Sequence, residues 1–209
     1  MRAKRLIPSV LERSVVHAQC RIDRLRPLCP LLHLDLMDGR FVKNRSVGIG
    51  DIAKLKLPKR TTAHLMVEHP IHWAEACGAV GIIELVLHVE SELSPSTVHL
   101  FTHHFTVHLA INPGTPLSRL APYARVVNGY HVMTVRPGKQ GKAFIPSQLT
   151  VLRRLRTLHP KTRLGVDGSM NETTVPLALA AGANDIILGS VLKQAPDPQA
   201  TFNSLRSLV

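Results

Sequence analysis

The stretch His33-Leu-Asp-Leu-Met-Asp-Gly39 sets an imidazole, a carboxylate and a thioether at alternate positions. Side chains on a β-strand alternate between faces, so His33, Asp35 and Met37 point one way while Leu32, Leu34 and Leu36 cover the other. One face of a strand that breaks at Asp38-Gly39 then carries both a metal ligand and an acid/base group. A buried strand whose His and Asp merely bond each other fits the same pattern, and matching groups elsewhere decide between the two. His64 and Met66 alternate in Thr61–Met66, Met133 lies near the end of Arg125–Val135, and Asp167 ends Arg163–Asp167. Two imidazoles and two carboxylates (His33, His64, Asp35, Asp167) suit one borderline divalent cation: zinc, manganese, ferrous iron or cobalt. Two carboxylates from different strands can address opposite faces of a substrate, one taking a proton from carbon and the other returning one. A cation across two substrate oxygens would hold the enediolate formed in between.

The second half of the chain offers a grip for an anion. Gly138-Lys139-Gln140-Gly141, Gly168-Ser169 and Gly189-Ser190 each follow a strand-like run. One Gly-Ser pair marks only a turn. Three in consecutive units give backbone amides that can converge on a phosphate.

These groups need a scaffold that brings the ends of distant strands together. Apolar runs that read as strands begin at Leu6, Leu32, Thr61, Ile82, Phe105, Arg125, Arg163 and Asn184. Helical periodicity fills the gaps, with segments near 12–26, 70–76, 95–104, 147–158, 172–181 and 198–208. Asp51 is placed to cap a short helix running to Leu57, and another short helix follows Pro116. Pro27 ends the first segment and Pro70 opens a later one. Eight such units in strict alternation imply a parallel sheet closed into a single (β/α)8 TIM barrel over residues 1–209. In that fold catalytic groups come from the C-terminal ends of the strands, and the last strands often hold a phosphate.

The formal net charge of +12 raises the possibility of nucleic-acid binding. The basic residues are scattered, however, and aromatics are only 4%, too few for a base-stacking platform. A solvated basic surface that draws in a phosphorylated substrate accounts for the charge, and no specific nucleic-acid partner is expected. Cys20, Cys29 and Cys77 lack CxxC spacing and read as reduced thiols. No apolar run approaches the roughly 20 residues of a membrane helix, and Leu6-Ile7 is too short for a signal peptide's apolar region. A cytoplasmic chain without membrane contact is expected.

Together the motifs resemble those of the ribulose-phosphate 3-epimerase family, and the resemblance runs from Pro8-Ser9 to Gly189-Ser190. It rests on His33–Gly39 with Phe41-Val42 and Asn44, His64-Leu-Met66, His88-Val-Glu90, Asn112-Pro-Gly-Thr-Pro116, Pro137-Gly138, Phe144-Ile-Pro146, Val166-Asp-Gly168 and Ala181-Gly-Ala183. It implies a metal-dependent isomerase of the pentose phosphate pathway that interconverts ribulose 5-phosphate and xylulose 5-phosphate. His33, Asp35, His64 and Asp167 would bind the metal, with Asp35 and Asp167 as the acid/base pair. Ser9 would hydrogen-bond near the substrate, and His64 would touch the substrate as well as the metal. Met37, Met66 and Met133 would ring the enediolate, and Gly138, Lys139, Gln140, Gly141, Gly168, Ser169, Gly189 and Ser190 would lie about the phosphate. Family members often assemble as homo-oligomers, and one is expected here.

Three departures stand out. The family loop Asn-Pro-Gly-Phe-Gly-Gly-Gln is Arg136-Pro-Gly-Lys-Gln-Gly-Lys142 here, Lys43 replaces a proline, and Asp-Gly-Gly is Asp167-Gly-Ser169. The last resembles the related allulose-6-phosphate 3-epimerases. The alternatives are therefore a six-carbon ketose phosphate as substrate, or a metal-binding barrel without turnover. His99, His103, His104 and His108 are read as solvated helix and strand-start residues, and His88 as a hydrogen-bonding residue beneath the site.

Overall fold

The computed structural model describes residues 3–209. Eight parallel strands close into a barrel in sequence order: β1 (Arg5–Val10), β2 (Leu31–Met37), β3 (Arg60–Met66), β4 (Glu84–His88), β5 (Thr106–Ile111), β6 (Gly129–Met133), β7 (Arg163–Asp167) and β8 (Asp185–Leu188). The helices are α1 (Val15–Leu25), α2 (Pro70–Ala79), α3 (Pro95–Phe101), α4 (Gln148–Leu158), α5 (Thr174–Ala180), α6 (Ser190–Gln194) and α7 (Pro198–Arg206). Tight 3₁₀ turns at Ile49–Lys54 and Leu117–Tyr123 replace helices after β2 and β5.

The helix ends follow local chemistry. Ser14 caps α1 by accepting from the His17 amide, and Asp197 caps α7 through the Gln199 and Ala200 amides. Asp51 does not cap: it lies inside the 3₁₀ turn and its carboxylate takes Lys54 at 2.6 Å, while Gly48 holds the cap position. The helix α6 has no counterpart among the sequence expectations. Five residues after Gly189 are too few for an apolar period to appear.

The two faces of each strand have separate duties. Leu32, Leu34 and Leu36 of β2 pack outward into one apolar layer with Leu65, Leu87, Leu109 and Val166, closed over by Ile22 of α1 and Leu152 of α4. Within Arg153-Arg154-Leu155-Arg156, Leu155 is buried and Arg156 hydrogen-bonds the carbonyls of Gly182 and Thr162 and the Asn184 side chain. That arginine ties α4 to the loop before β7 and the loop after α5.

The inward face is unusual for this architecture. Barrel interiors are mostly filled by branched aliphatic side chains. Here His88, His64, His33, His131 and His108 form a continuous column of imidazoles, successive ring centroids lying 5.0, 5.1, 5.9 and 5.6 Å apart, with His88 and His64 face to face and the rest tilted or edge-on. Register makes room for the lower two. His108 lies beside Gly129 and His131 beside Gly165 on the neighbouring strands. A Cβ at Gly165 would come within 1.8 Å of the His131 ring, and one at Gly129 within 2.7 Å of His108 Nδ1. His108 therefore departs from the expectation of a solvated strand-start residue. It is 1% exposed, while His99 and His103 stay outside and pair edge-on.

Below the column, ion pairs seal the barrel floor. Asp185 takes two contacts from Arg5, both at 2.7 Å, and two from Arg163 at 2.7 and 2.5 Å. Its carboxylate is thus buried but fully paired, which is the condition for burying a charge at tolerable cost.

Candidate active site and metal-ligand cluster

Strand pairing brings the predicted groups together at the C-terminal mouth of the barrel. Asp35 lies beside His64 and Met37 beside Met66 across β2 and β3, while Met133 lies beside Asp167 across β6 and β7. Four candidate ligand atoms, one each from His33, Asp35, His64 and Asp167, all lie within 4.8 Å of one another. His64 Nδ1 is 2.9 Å from Asp35 Oδ1 and 3.3 Å from Asp167 Oδ2. His33 Nε2 is 3.5 Å from Asp35 Oδ1 and 3.9 Å from Asp167 Oδ2.

The donor set fits a divalent cation. Metal–ligand bonds of about 2.0–2.2 Å hold tetrahedral ligand atoms roughly 3.3 Å apart, inside the spread of the four separations above. His33 Nε2 is buried, faces both carboxylates and has no hydrogen-bond partner. A buried polar atom in that position has a reason to exist if something else binds it.

The electrostatics point the same way. Burial raises the Asp35 carboxyl, but the neighbouring His33 and His64 outweigh it and hold the group down to about 2. Burial lowers His64, but Asp167 and Asp35 outweigh it and hold the imidazole up to about 9. Without a cation, a proton on His64 supplies the positive charge the two carboxylates require.

A supporting relay runs outward from His64. Its Nε2 lies 2.9 Å from His88 Nε2, and His88 Nδ1 lies 3.3 Å from Glu90 Oε2. If Nδ1 of His64 faces the cation, its Nε2 carries a proton and donates to His88, whose Nδ1–H donates to Glu90. Such outer partners fix the tautomer and orientation of a ligating imidazole. Glu90 Oε1 also accepts from the Asn112 amide at 2.9 Å, which anchors the relay to the loop after β5. The sequence offers Glu90 only within the motif His88-Val-Glu90; its contacts with His88 and the Asn112 amide give it a role.

A narrow open cavity rises from the cluster. Asp35 and Asp167 form part of its lining, with Ser9, Met37, Met66 and Met133 around them and Gly138, Lys139, Gln140, Gly141, Gly168, Ser169, Gly189 and Ser190 on the side of β6, β7 and β8. His33 and His64 lie beneath, fully buried. Leu11, Val135, Pro137 and Ile187 also line the cavity. Strand alternation could have found Val135 and Ile187, since each follows an inward residue by two positions.

The loop Arg136–Lys142 crosses the mouth. Gly138, at φ +107°, has space for no more than a tight contact with Val42 at 3.2 Å from its would-be Cβ. Gln140 Nε2 donates to Ser9 Oγ at 3.3 Å. Lys142 Nζ donates back to the Pro137 carbonyl at 3.1 Å, and the Lys142 carbonyl accepts from Ser169 Oγ. Ser169 adopts φ +51°, a left-handed conformation that non-glycine residues seldom take, and that corner aims its hydroxyl at the loop.

The neutral part of the imidazole column gives a pH prediction. Burial, the largest influence in each case, lowers His88 to about 4, His131 well below the usual value and His108 below it. Each takes a proton near pH 6.5 in the unfolded chain but resists it when folded. Their stabilisation is therefore complete above about pH 6.5 and is lost as pH falls toward the folded values. His64 works in the opposite sense, losing its contribution as pH rises through about 9, so it does not mask the acid window. Denaturant unfolding of the metal-free protein between pH 7 and 5 should show stability falling, with a slope approaching about 1.4 kcal/mol per pH unit for each imidazole. A flat profile would contradict neutral burial of these rings.

The model of the Ribulose-phosphate 3 epimerase family matches residues 5–193. The cytoplasmic isoform of ribulose-phosphate 3-epimerase from Oryza sativa subsp. japonica is 32% identical over 221 residues, covering 99% of this chain and 95% of that protein. The ribulose-phosphate 3-epimerase of Candida glabrata is 31% identical, covering 98% of this chain and 92% of its own. Among solved structures, 3-hexulose-6-phosphate synthase from Salmonella typhimurium superposes with a TM-score of 0.73 at 16% identity, covering 97% of each chain, a likeness of fold. No helix among the described residues is long and apolar enough to cross a membrane. With its motifs, its closed eight-stranded barrel and a match over nearly its full length all in agreement, this chain belongs to the ribulose-phosphate 3-epimerase family, and thereby to the isomerases.

Proposed function

We propose that this protein epimerises D-ribulose 5-phosphate and D-xylulose 5-phosphate at C3, with Asp35 and Asp167 as the two proton carriers. The observation that carries the reading is the meeting of two carboxylates, from β2 and β7, with two buried imidazoles at one mouth of the barrel. His33, Asp35, His64 and Asp167 would hold one divalent cation, which when bound stabilises negative charge developing on the substrate's oxygens. One aspartate removes the C3 proton from one face, leaving an enediolate, and the other returns a proton to the opposite face. Met37, Met66 and Met133, each about 2% exposed, wall the reacting carbons with side chains that neither donate nor compete for protons. Ser9 and the loop Gly138–Gly141 close over the sugar, and Gly168, Ser169, Gly189 and Ser190 surround its phosphate.

The rice and yeast relatives named for this activity support the choice of substrate. A six-carbon ketose phosphate is the second reading, favoured by Ser169 in place of glycine and by its bond to the Lys142 carbonyl. One metal-loaded preparation assayed on both substrates separates them. We expect kcat/KM for ribulose 5-phosphate to exceed that for allulose 6-phosphate at least about tenfold, a difference of about 1.4 kcal/mol in transition-state binding. The reverse ratio would make the hexulose phosphate the substrate. Turnover of neither would leave a barrel that binds without catalysing.

A further inference from the structure

Beside the substrate cavity lies a second open cleft that shares only its edge with it. It is bounded by the loops after β1, β2 and β6 and by α6. These four elements bring Arg13, Arg45, Lys139 and Lys193 around one space. The carboxylate lining it is Glu12, whose Oε1 is engaged by Lys193 Nζ at 2.6 Å. Arg13 is held by a neutral acceptor, Asn44 Oδ1, at 2.5 Å. The Arg45 side chain lies across Gly39, its Nε 2.6 Å from where a Cβ would stand, so the glycine is what allows the guanidinium to settle there. Arg13, Arg45 and Lys139 face the cleft with no carboxylate partner among the described residues. Like charges gathered without counterions repel one another, and guanidinium groups match phosphate oxygens in geometry as well as charge.

The cleft adjoins the proposed phosphate site. Lys139, Gln140 and Ser190 line both spaces, and the Gln140 side chain, bonded to Ser9, is the partition between them.

We propose that this cleft binds a second phosphoryl group, separate from the one carried by the sugar phosphate at the catalytic centre. The inference rests on the reading that the rim of β6, β7 and β8 holds the substrate's own phosphate. The second group comes either from the far end of the same sugar, as in a ketose bisphosphate, or from a separate anion bound beside the substrate.

Calorimetric titration of the metal-loaded protein with inorganic phosphate tests this. The native protein is expected to take two equivalents, and Arg13→Gln/Arg45→Gln one, with kcat/KM for ribulose 5-phosphate within about twofold of native. Arg153→Gln/Arg154→Gln, which removes the same charge from the exposed face of α4, should keep both equivalents. Binding of a ketose 1,5-bisphosphate at least tenfold tighter than the monophosphate, an advantage lost in Arg13→Gln/Arg45→Gln, would assign the second phosphate to the sugar. Equal binding of the two sugars, with phosphate altering turnover without competing, would assign it to a separate anion. One equivalent in the native protein would overturn the proposal, as would two retained in Arg13→Gln/Arg45→Gln. If that variant instead loses kcat/KM as steeply as phosphate affinity, these cations serve the first phosphate and the second site does not exist. Turnover by the native enzyme is measured separately, so a failure of the epimerase reading itself would be seen in that assay alone.

Discussion

Asp35→Asn and Asp167→Asn are each expected to lower kcat by about 10⁴-fold. General acid–base transfer by a positioned group supplies roughly 10²–10⁴, and each aspartate also contributes a candidate metal ligand. The amide keeps the volume of the carboxylate, so the barrel should still fold. What changes is charge: Asp35 sits at 2.9 Å from His64 Nδ1, and an amide there neither carries a proton between carbon and solvent nor balances a cation. Steady-state kinetics with metal content measured on the same samples checks both duties. A variant that keeps its metal and loses turnover isolates proton transfer, and one that loses both reports the ligand. Near-native turnover at unchanged metal content would sink the two-carboxylate assignment.

Stripping divalent metal with a chelator should cost about 10³-fold in turnover, recovered on adding back zinc, manganese, ferrous iron or cobalt. Lewis-acid stabilisation of developing oxyanions is worth several kcal/mol, and each 1.4 kcal/mol is a factor of ten. The same titration has a thermodynamic signature. His64, held up to about 9 in the metal-free protein, must give up its proton as the cation takes Nδ1. Loading should therefore release protons at neutral pH and raise the unfolding free energy by about 2.7 kcal/mol when free metal stands at 100 times its Kd. Full activity with no detectable metal would show that the two imidazoles serve some other purpose.

The site was legible in the chain because strand alternation has a period of two. Asp35 and Met37 could be placed on one face with His33 from spacing alone, and strict alternation of units implied a barrel that would bring β2, β3 and β7 to one rim. Register was not legible. That His108 lies beside Gly129 and His131 beside Gly165 is a fact about neighbouring strands, so the column of imidazoles down the barrel axis could not be foreseen. The histidines from His99 to His108 divide between helix and strand as their sequence suggests, α3 ending at Phe101 and β5 beginning at Thr106; what local spacing could not show is that His108 faces the barrel interior, buried against His131. Asp185 was invisible as a floor clamp because its partners, Arg5 and Arg163, are 180 and 22 residues away. The cations of the second cleft come from four separate loops and helices, and no periodicity joins them.

Much of what surrounds the site serves to hold it still. Asp38, at the break after β2, accepts from the amides of Arg40 and Phe41 through one oxygen and from Glu68 through the other. It pins the loops after β2 and β3 together just beyond Asp35 and His64. Phe41 then reaches back to pack on His88, 4.8 Å between ring centroids, so the same corner that ends the strand also backs the Glu90–His88–His64 relay.

Proton exchange at a single carbon is the heart of the account, and nuclear magnetic resonance of the product formed in deuterium oxide observes it directly. Metal-loaded protein given ribulose 5-phosphate should yield xylulose 5-phosphate bearing solvent deuterium at C3 and nowhere else, because the proton returned comes from a carboxyl that has equilibrated with solvent. Product with protium at C3, or with deuterium at C1 instead, would mean that hydrogen moves by some route other than two aspartates on opposite faces of the sugar.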